Sequence, residues 1–165
     1  MKENVASTNY INSHELQKEL VKLRETYLEE VEYFVKENKT PHMSKRDEKK
    51  IREKAERESK GTVSDELGMM FIKIATNLSN KNNFKNYTFK EDMIGRGIMF
   101  LCMYAKNFNY KKKNANAFAY VSQICYNGFI QYIKKEKKYS EAKDDIIKKN
   151  MEVTELEKWE QENNE

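Results

Sequence analysis

Apolar residues recur every three or four positions in four separate segments of the chain, a spacing that places them on one face of an α-helix. The segments begin near Ser13, Ser64, Thr88 and Asn116. Only one proline and five glycines interrupt a sequence rich in good helix formers. The pattern therefore predicts an all-α fold: a compact helical domain preceded by an amphipathic N-terminal helix and a charged connector.

Each predicted helix has a recognisable start. Ser13, Ser64 and Asn116 carry short side chains that accept a hydrogen bond from an unpaired amide of the first turn. Thr88 and Glu91 have the spacing of a capping box. The first, third and fourth of these helices are predicted to end near residues 38, 107 and 138, and a polar loop, residues 80–86, follows the second. The predicted inward faces are Leu16, Leu20, Leu23, Tyr27, Val31 and Phe34; Leu67, Met70, Phe71, Ile74 and Leu78; Ile94, Gly97, Ile98, Leu101, Ala105 and Phe108; and Val121, Ile124, Cys125, Gly128, Phe129 and Tyr132.

A charged stretch, residues 45–60, separates the first two apolar segments and holds eight basic and five acidic residues. Pro41 divides it from the first helix because proline lacks an amide proton. We interpret the stretch as a charged connector in preference to a nucleic-acid-binding segment. Weak support for a helix comes from three pairs in the favourable i,i+4 order: Glu48 with Arg52, Glu53 with Arg57, and Glu56 with Lys60.

These segments predict three parts of the chain. Residues 1–61 form the amphipathic helix and the connector, and residues 62–140 form the helical domain. Residues 141–165 form an acidic tail with nine acids and four bases.

Several classes of protein are disfavoured by what the sequence lacks. Cys102 and Cys125 have no CxxC spacing and lie far from His14 and His42, so neither a metal site nor a disulfide framework is expected. We find no nucleotide-binding or hydrolase motif, and we expect neither an enzyme nor a cofactor. No apolar run approaches the roughly 20 residues that cross a bilayer, so we expect a cytoplasmic protein that contacts no membrane.

Positive charge is concentrated between Lys106 and Tyr139, where eight lysines face a single acid, Glu136. The same window holds eight aromatic residues. Lysines neutralise phosphates and aromatic faces stack on unpaired bases, so this mixture suits a single strand or an opening duplex. The alternative is that the aromatics are core and the lysines a solvated face, and composition does not choose between them.

One polar ridge on the last predicted helix is the candidate DNA surface. Its members are spaced three or four residues apart and so share a side of the helix. They are Tyr120, Gln123, Asn127, Gln131, Lys134 and Lys138.

Met93, Met99, Phe100 and Met103 fall largely outside the predicted inward face of the third core helix. Methionine fills irregular cores, but it also serves at surfaces that bind partners. From the pattern alone, the core interpretation is somewhat favoured over a partner-binding surface.

Two stretches have a distinctive order and spacing: LGMMFIKIATNLSNKNNFKNYTFKEDMIGRGI from Leu67, and KNFNYKKKNANAFAYVSQICYNGFIQYIKKEKK ending at Lys138. They lie in residues 65–138, which resemble region 2 of the late-transcription sigma factor of T-even type bacteriophages, a minimal relative of the primary bacterial sigma factors. The segment NYINSHELQKEL from Asn9 is similar to that family's amino-terminal segment.

The resemblance implies a helical domain that docks on the clamp helices of the host RNA polymerase core and acts in an infected bacterial cell. It implies that the third core helix binds polymerase, because Asp92-Met93-Ile94 with Gly97 matches the family signature and later residues extend the same helix. The implied polymerase-binding residues are Asp92, Met93, Arg96, Met99, Phe100 and Met103.

The resemblance also implies recognition and opening of an A·T-rich minus-ten-like late promoter element. Tyr120 falls where sigma factors place an aromatic beside the base displaced from the non-template strand, and residues 107–110 match the turn before the DNA helix. The implied DNA-binding residues are Asn109, Tyr110, Lys112, Lys113, Tyr120, Gln123, Tyr126, Asn127, Gln131, Lys134, Lys135 and Lys138.

The chain departs from the family pattern at several positions. Arg96 stands where the signature has an acid, Ala117 replaces the helix-starting proline, and Gln123 and Ile124 replace the tandem tryptophans. Members of the family also work with a phage coactivator and a sliding clamp, yet residues 156–165 contain no good copy of the acidic-hydrophobic tail that binds the clamp.

Two other functions compete with the sigma factor. One is a helical phage regulator that binds polymerase or single-stranded DNA without specifying promoters. The other is a structural module that pairs its first amphipathic helix with another helix.

Overall fold

The computed structural model describes the backbone of residues 11–163 and the side chains of residues 11–159. This range contains five α-helices: α1 (Ser13–Asn38), α2 (Lys45–Glu58), α3 (Asp65–Ser79), α4 (Lys90–Tyr104) and α5 (Ala117–Asn163), with a 3-10 turn, Ala105–Asn107, after α4. No strand occurs between residues 11 and 163. The predicted all-α class is confirmed.

The chain divides into two units, the first ending at Phe129 and the second beginning at Ile130, so α5 contributes to both. The three predicted parts, residues 1–61, 62–140 and 141–165, stay a prediction. Asn9 and Tyr10, which open the amino-terminal motif, lie outside the described residues, as do the last two residues of the tail.

Two of the four predicted helix starts are confirmed. The Ser64 hydroxyl accepts a hydrogen bond from the Leu67 amide at 3.2 Å, and the Asn116 side-chain oxygen accepts one from the Ala119 amide at 2.9 Å. For α1 the cap is Asn12 instead of Ser13, because the Asn12 oxygen accepts the His14 amide at 3.0 Å.

The predicted capping box of Thr88 and Glu91 is wrong. Helix α4 begins at Lys90, and its N-cap residue, Phe89, supplies no side-chain hydrogen bond to the described first turn. The rings of Tyr87 and Phe89 lie 5.0 Å apart, and this contact accompanies a turn that leaves Thr88 outside the helix.

The predicted end of the last helix near Lys138 is also wrong, since α5 continues to Asn163. No proline or glycine follows Gly128 in the sequence, and glutamate, lysine and methionine are good helix formers. The change from basic to acidic residues after Tyr139 alters the charge on the helix surface without breaking the backbone pattern.

The first unit buries a large set of apolar side chains. Five of the six predicted inward residues of α1 are buried, and Phe34 is half-buried. Fully burying a large apolar side chain stabilises a fold by about 1.5–3 kcal/mol, so such a core is a major source of stability. Because α1 buries its own apolar face, that face is not available to pair with another helix. The largest fully buried side chains include Leu16, Leu20, Leu23, Leu67, Phe71, Met93, Leu101, Phe108, Val121, Cys125 and Phe129.

The charged stretch forms α2, which packs against α1. Ala55 is completely buried in a cluster with Tyr27 and Val31. Arg52 pairs across the two helices with Glu32 at 2.8 Å, not within α2 as the i,i+4 pattern predicted. The predicted helix in the charged stretch is therefore confirmed, and the buried cluster and the Arg52–Glu32 ion pair join it to α1.

Helices α4 and α5 cross at two glycines. A Cβ atom built on Gly97 would lie 2.5 Å from Cε1 of Phe129 and 2.8 Å from Sγ of Cys125. A Cβ on Gly128 would lie 3.1 Å from the Gly97 Cα. The helices come this close because neither residue has a side chain. Burial at the crossing raises the pKa of the Cys125 thiol to about 12, so this thiol stays protonated.

None of the helices between residues 11 and 163 combines the length and the apolar character that crossing a membrane requires.

Candidate functional site

The first candidate surface lies on the outside of α4. Asp92, Arg96, Met99 and Met103 are spaced four, three and four residues apart, which puts them on one side of the helix. Asp92 is exposed in the first turn, where the helix dipole favours a negative charge. Met99 and Met103 are 39% and 48% exposed. With the neighbouring rings, the α4 outer surface comprises Asp92, Arg96, Met99, Phe100, Met103 and Tyr104.

Phe100 is the fixed centre of this surface. The Arg96 guanidinium lies 5.1 Å from its ring centroid, and the Tyr104 ring meets it edge to face at 5.3 Å. The Cβ atom built on Gly128 would lie 3.2 Å from Cγ of Phe100, so the ring also rests on α5. The aromatic part of the surface is therefore preordered, while the two methionines beside it stay adaptable.

Met93 differs from the other predicted polymerase-binding residues. Its side chain is completely buried, in register with Gly97 and Leu101 along the inner side of α4. The prediction that Met93 falls outside the core face is wrong, and in this conformation it cannot touch a partner. Tyr104, 42% exposed beside Phe100, was missed, and its position one turn after Phe100 was the available signal.

Lys106 is the one lysine of the basic window that turns inward. Its ammonium group lies 4.5 Å from the centroid of the Tyr27 ring and donates to the Ser59 carbonyl, while Arg24 donates to the Lys106 carbonyl at 3.1 Å. Burial lowers the pKa of Lys106, in keeping with its removal from solvent. This lysine joins the 3-10 turn to α1 and α2 and is not part of a surface for DNA.

The second candidate surface begins at the basic loop, residues 109–116. The Asn109 side chain accepts the Lys111 amide at 3.1 Å, and the Lys112 carbonyl accepts the Ala115 amide at 3.1 Å. Asn114 has a positive φ of 66°, which asparagine tolerates better than most residues. These turns order the backbone and leave three adjacent lysines, residues 111–113, exposed to solvent. Tyr110 is half-buried, with the Lys111 ammonium 5.9 Å from its ring.

Tyr120 lies in the first turn of α5 and is half-buried. Its hydroxyl donates to the Tyr104 carbonyl at 3.1 Å, and its ring lies 5.3 Å from the ring of Phe108. Burial raises the pKa of the Tyr120 phenol, so this group is a hydrogen-bond donor at neutral pH. The Tyr120 side chain is therefore anchored through its hydroxyl group, and part of its ring remains exposed to solvent.

Three further predicted DNA-binding residues follow on the part of α5 that belongs to the first unit. Gln123 and Asn127 are exposed, and the Gln123 amide donates to the Asn127 oxygen at 2.9 Å. Tyr126 is 38% exposed, and its ring contacts that of Phe84 edge to face with the ring centroids 5.5 Å apart. These residues line a polar side of α5 that begins at the anchored Tyr120.

The remaining predicted residues lie in the second unit. Gln131, Lys134, Lys135 and Lys138 are all exposed on α5, and the Lys135 ammonium lies 5.9 Å from the Tyr132 ring. Lys137 is exposed as well. This stretch supplies cationic side chains to solvent.

The described residues hold no group of three or more histidine, cysteine, aspartate or glutamate side chains that could bind a metal ion. The chemistry that the two surfaces offer is non-covalent: apolar and cation–π contact on α4, and phosphate neutralisation with base contact along the basic loop and α5. Comparison with protein-family models, with curated proteins and with solved structures gives no match for this chain.

Proposed function

We propose that this protein is a late-transcription sigma factor of the phage type. It binds the clamp helices of the host RNA polymerase core through the α4 outer surface. It recognises and helps to open an A·T-rich minus-ten-like promoter element through the basic loop and α5. The observation that carries the proposal is that one small helical unit presents two different surfaces, one apolar and one basic and polar, on elements that cross directly at Gly97 and Gly128.

The composition of the α4 outer surface supports docking on a protein. A fixed aromatic centre with methionines at its edge matches the residue types that dominate protein interfaces, in which aromatic, methionine and arginine side chains are enriched. Phe100 is held between Arg96 and Tyr104, so little ordering of this ring remains to be done on binding.

The basic loop and the polar side of α5 support binding to DNA that is opening. Lysines 111–113 are exposed and adjacent in sequence, and exposed lysines neutralise the phosphates of a nucleic-acid backbone. The amides of Gln123 and Asn127 present donors and acceptors of the kind that read base edges. Tyr120 offers an aromatic ring whose position is set by its hydroxyl, and a base extruded from the duplex can stack on such a ring.

In this mechanism, binding free energy drives promoter opening. The lysines hold the backbone, and stacking on Tyr120 offsets part of the few kcal/mol needed to unstack a base. The polymerase carries out nucleotide addition, and this chain contributes position and strand separation.

Docking is tested with two exposed methionines. The double substitution Met99→Ser and Met103→Ser should weaken binding to the polymerase core at least about tenfold, since two apolar contacts worth about 1 kcal/mol each are lost. The measurement is a titration of labelled protein with core enzyme. Met69→Ser in α3 is the control, because Met69 is 55% exposed and lies outside the α4 outer surface. Undiminished binding by the double variant, with its thermal unfolding unchanged, would remove α4 from the interface.

Stacking is tested at Tyr120 with two substitutions, one that keeps the aromatic ring and one that keeps only its apolar volume. Tyr120→Phe keeps the ring and loses only the hydrogen bond to the Tyr104 carbonyl, so promoter opening should persist. Tyr120→Leu keeps much of the apolar volume but removes the π face, and opening should fall about tenfold or more, because stacking on a base is worth roughly 1–3 kcal/mol. Permanganate reactivity of promoter thymines in the reconstituted holoenzyme measures opening. Equal opening by the Leu variant and the wild type would rule out stacking.

A further inference from the structure

A groove between α1 and α2 is not used by the proposed function. It lies where the end of α1 faces the start of α2, and its volume is about 660 Å³. Its apolar lining consists of Tyr33, which is 68% exposed, and the half-buried Val35, Met43 and Ile51. None of these residues belongs to the α4 outer surface or to the predicted DNA surface.

The rim of this groove is strongly basic. Five cations, Lys36, Lys39, Lys45, Lys49 and Arg52, line it against two acids. Both acids already form ion pairs at 2.8 Å, Glu32 with Arg52 and Glu48 with Lys39. The lining therefore carries three more cations than acids around an apolar floor, which fits an acidic segment with large apolar side chains.

The same chain carries such a segment at the end of α5. Residues 141–165 hold nine acids and four bases. Within this part of the second unit the side chains of Met151, Val153, Leu156 and Trp159 are 52–63% exposed, an unusual amount of large apolar surface for a charged helix. Val153, Leu156 and Trp159 are spaced three residues apart, so neighbouring members lie close together on the helix.

We propose that the acidic end of α5 from one copy docks in the α1–α2 groove of a second copy. Leu156 and Trp159 of the docked helix cover the apolar floor at Tyr33 and Ile51, and its glutamates meet the excess lysines of the rim. Laying an amphipathic helix into an apolar groove is a common mode of recognition. A second copy is the occupant that the charges favour, because groove and segment carry opposite net charge and occur in equal number.

The contact joins two different surfaces, so it is heterologous and propagates head to tail unless it closes into a ring. Its attraction is partly between exposed charges, so salt weakens it. At low salt, self-association is expected to increase with protein concentration.

Two variants of the full-length chain test this contact. The groove variant carries Lys36→Glu and Lys45→Glu, both at exposed positions. The segment variant carries Glu152→Lys and Glu155→Lys, which are also exposed. Sedimentation velocity at low salt should show association of the wild type and at least about tenfold weaker association of each variant, because each one removes most of the charge complementarity between groove and segment. Circular dichroism confirms that both variants remain helical.

Mixing the variants gives the decisive result. The mixture contains one intact groove, on the segment variant, and one intact segment, on the groove variant, so association should return when the two variants are mixed. A wild type that stays monomeric at every concentration would overturn the proposal, as would a mixture that stays monomeric or variants that associate as strongly as the wild type. None of these residues belongs to the α4 outer surface or to the predicted DNA-binding residues, so failure here leaves the proposed function untouched.

Discussion

Replacing Gly97 by alanine is expected to destabilise the protein by about 2 kcal/mol, whereas Gly95→Ala, two residues earlier in the same helix, is expected to stabilise it by up to about 1 kcal/mol. The two glycines have identical chemistry and share α4. They differ in the atoms that surround the methyl group which alanine would add.

At Gly97 the added Cβ would lie 2.5 Å from a ring carbon of Phe129, a side chain that is fully buried. Overpacking of this kind costs about 1–3 kcal/mol, with a contact of 2.5 Å at the upper end, and the helix propensity of alanine returns about 1 kcal/mol, which leaves the net loss stated above. At Gly95 the Cβ would meet no described atom within 4 Å, so only the gain in propensity remains.

Urea unfolding of the two variants beside the wild type measures both effects. Gly128→Ala provides a second probe of the crossing and should also destabilise, because its Cβ would press on the backbone of α4 at 3.1 Å. If Gly97→Ala proves as stable as Gly95→Ala, the helices do not cross as closely as the structure has them, and the relation between the α4 outer surface and the candidate DNA surface changes.

The second large effect is expected on DNA affinity when lysines 111–113 are replaced by glutamine. Affinity for single-stranded DNA should fall on the order of 100-fold at moderate salt, and the slope of log affinity against log salt should become shallower by about 2, since each lost phosphate contact removes about 0.7 for a single strand. The reason is that all three lysines are exposed on a loop ordered by its own hydrogen bonds.

The matched control removes the same charge elsewhere. Lys143, Lys148 and Lys149 are exposed on the acidic part of α5, and their joint replacement by glutamine should leave the salt slope within about 0.5 of the wild type. Fluorescence anisotropy with a labelled single strand over a series of salt concentrations gives both slopes. Equal losses from both triple variants would mean that net charge alone, and not the basic loop, governs binding.

Local signals in the sequence were sufficient where a single helix determines its own features. The bounds of α1 follow from its apolar spacing and from the break at Pro41, and Ser64 and Asn116 cap the helices that they were predicted to cap. These features depend on a few neighbouring residues, so no knowledge of the remaining fold is needed to predict them.

Several features that the sequence did not reveal concern residues whose burial depends on contacts with other helices. Met93 is core because α4 turns that side toward the rest of the first unit. Lys106 was counted only in the basic sequence window, and the window could not show that Tyr27 and Ser59 on other elements hold it inside. Ala55 lies among charged residues, and this pattern gives no sign that it is buried. Its burial follows from the packing of α2 against α1.

The candidate surfaces were predicted less completely than the fold. Spacing along α5 placed Gln123 and Asn127 on one side of the helix, where both are exposed. On α4 the pattern alone favoured a core role for Met99 and Met103, and this was wrong because both are exposed. Residue spacing could not reveal that the Phe100 ring packs against Gly128 or that the Tyr120 hydroxyl donates to the Tyr104 carbonyl, because both contacts join residues from different helices.

The central claim is that this chain directs polymerase to a promoter. The most direct measurement maps RNA 5′ ends made by bacterial core polymerase with and without the protein, on an A·T-rich late-promoter template. We predict discrete new start sites just downstream of the A·T-rich element that appear only when the protein is added. Reduced transcription with no new start site would contradict a sigma factor and would instead identify a regulator that binds polymerase or single-stranded DNA.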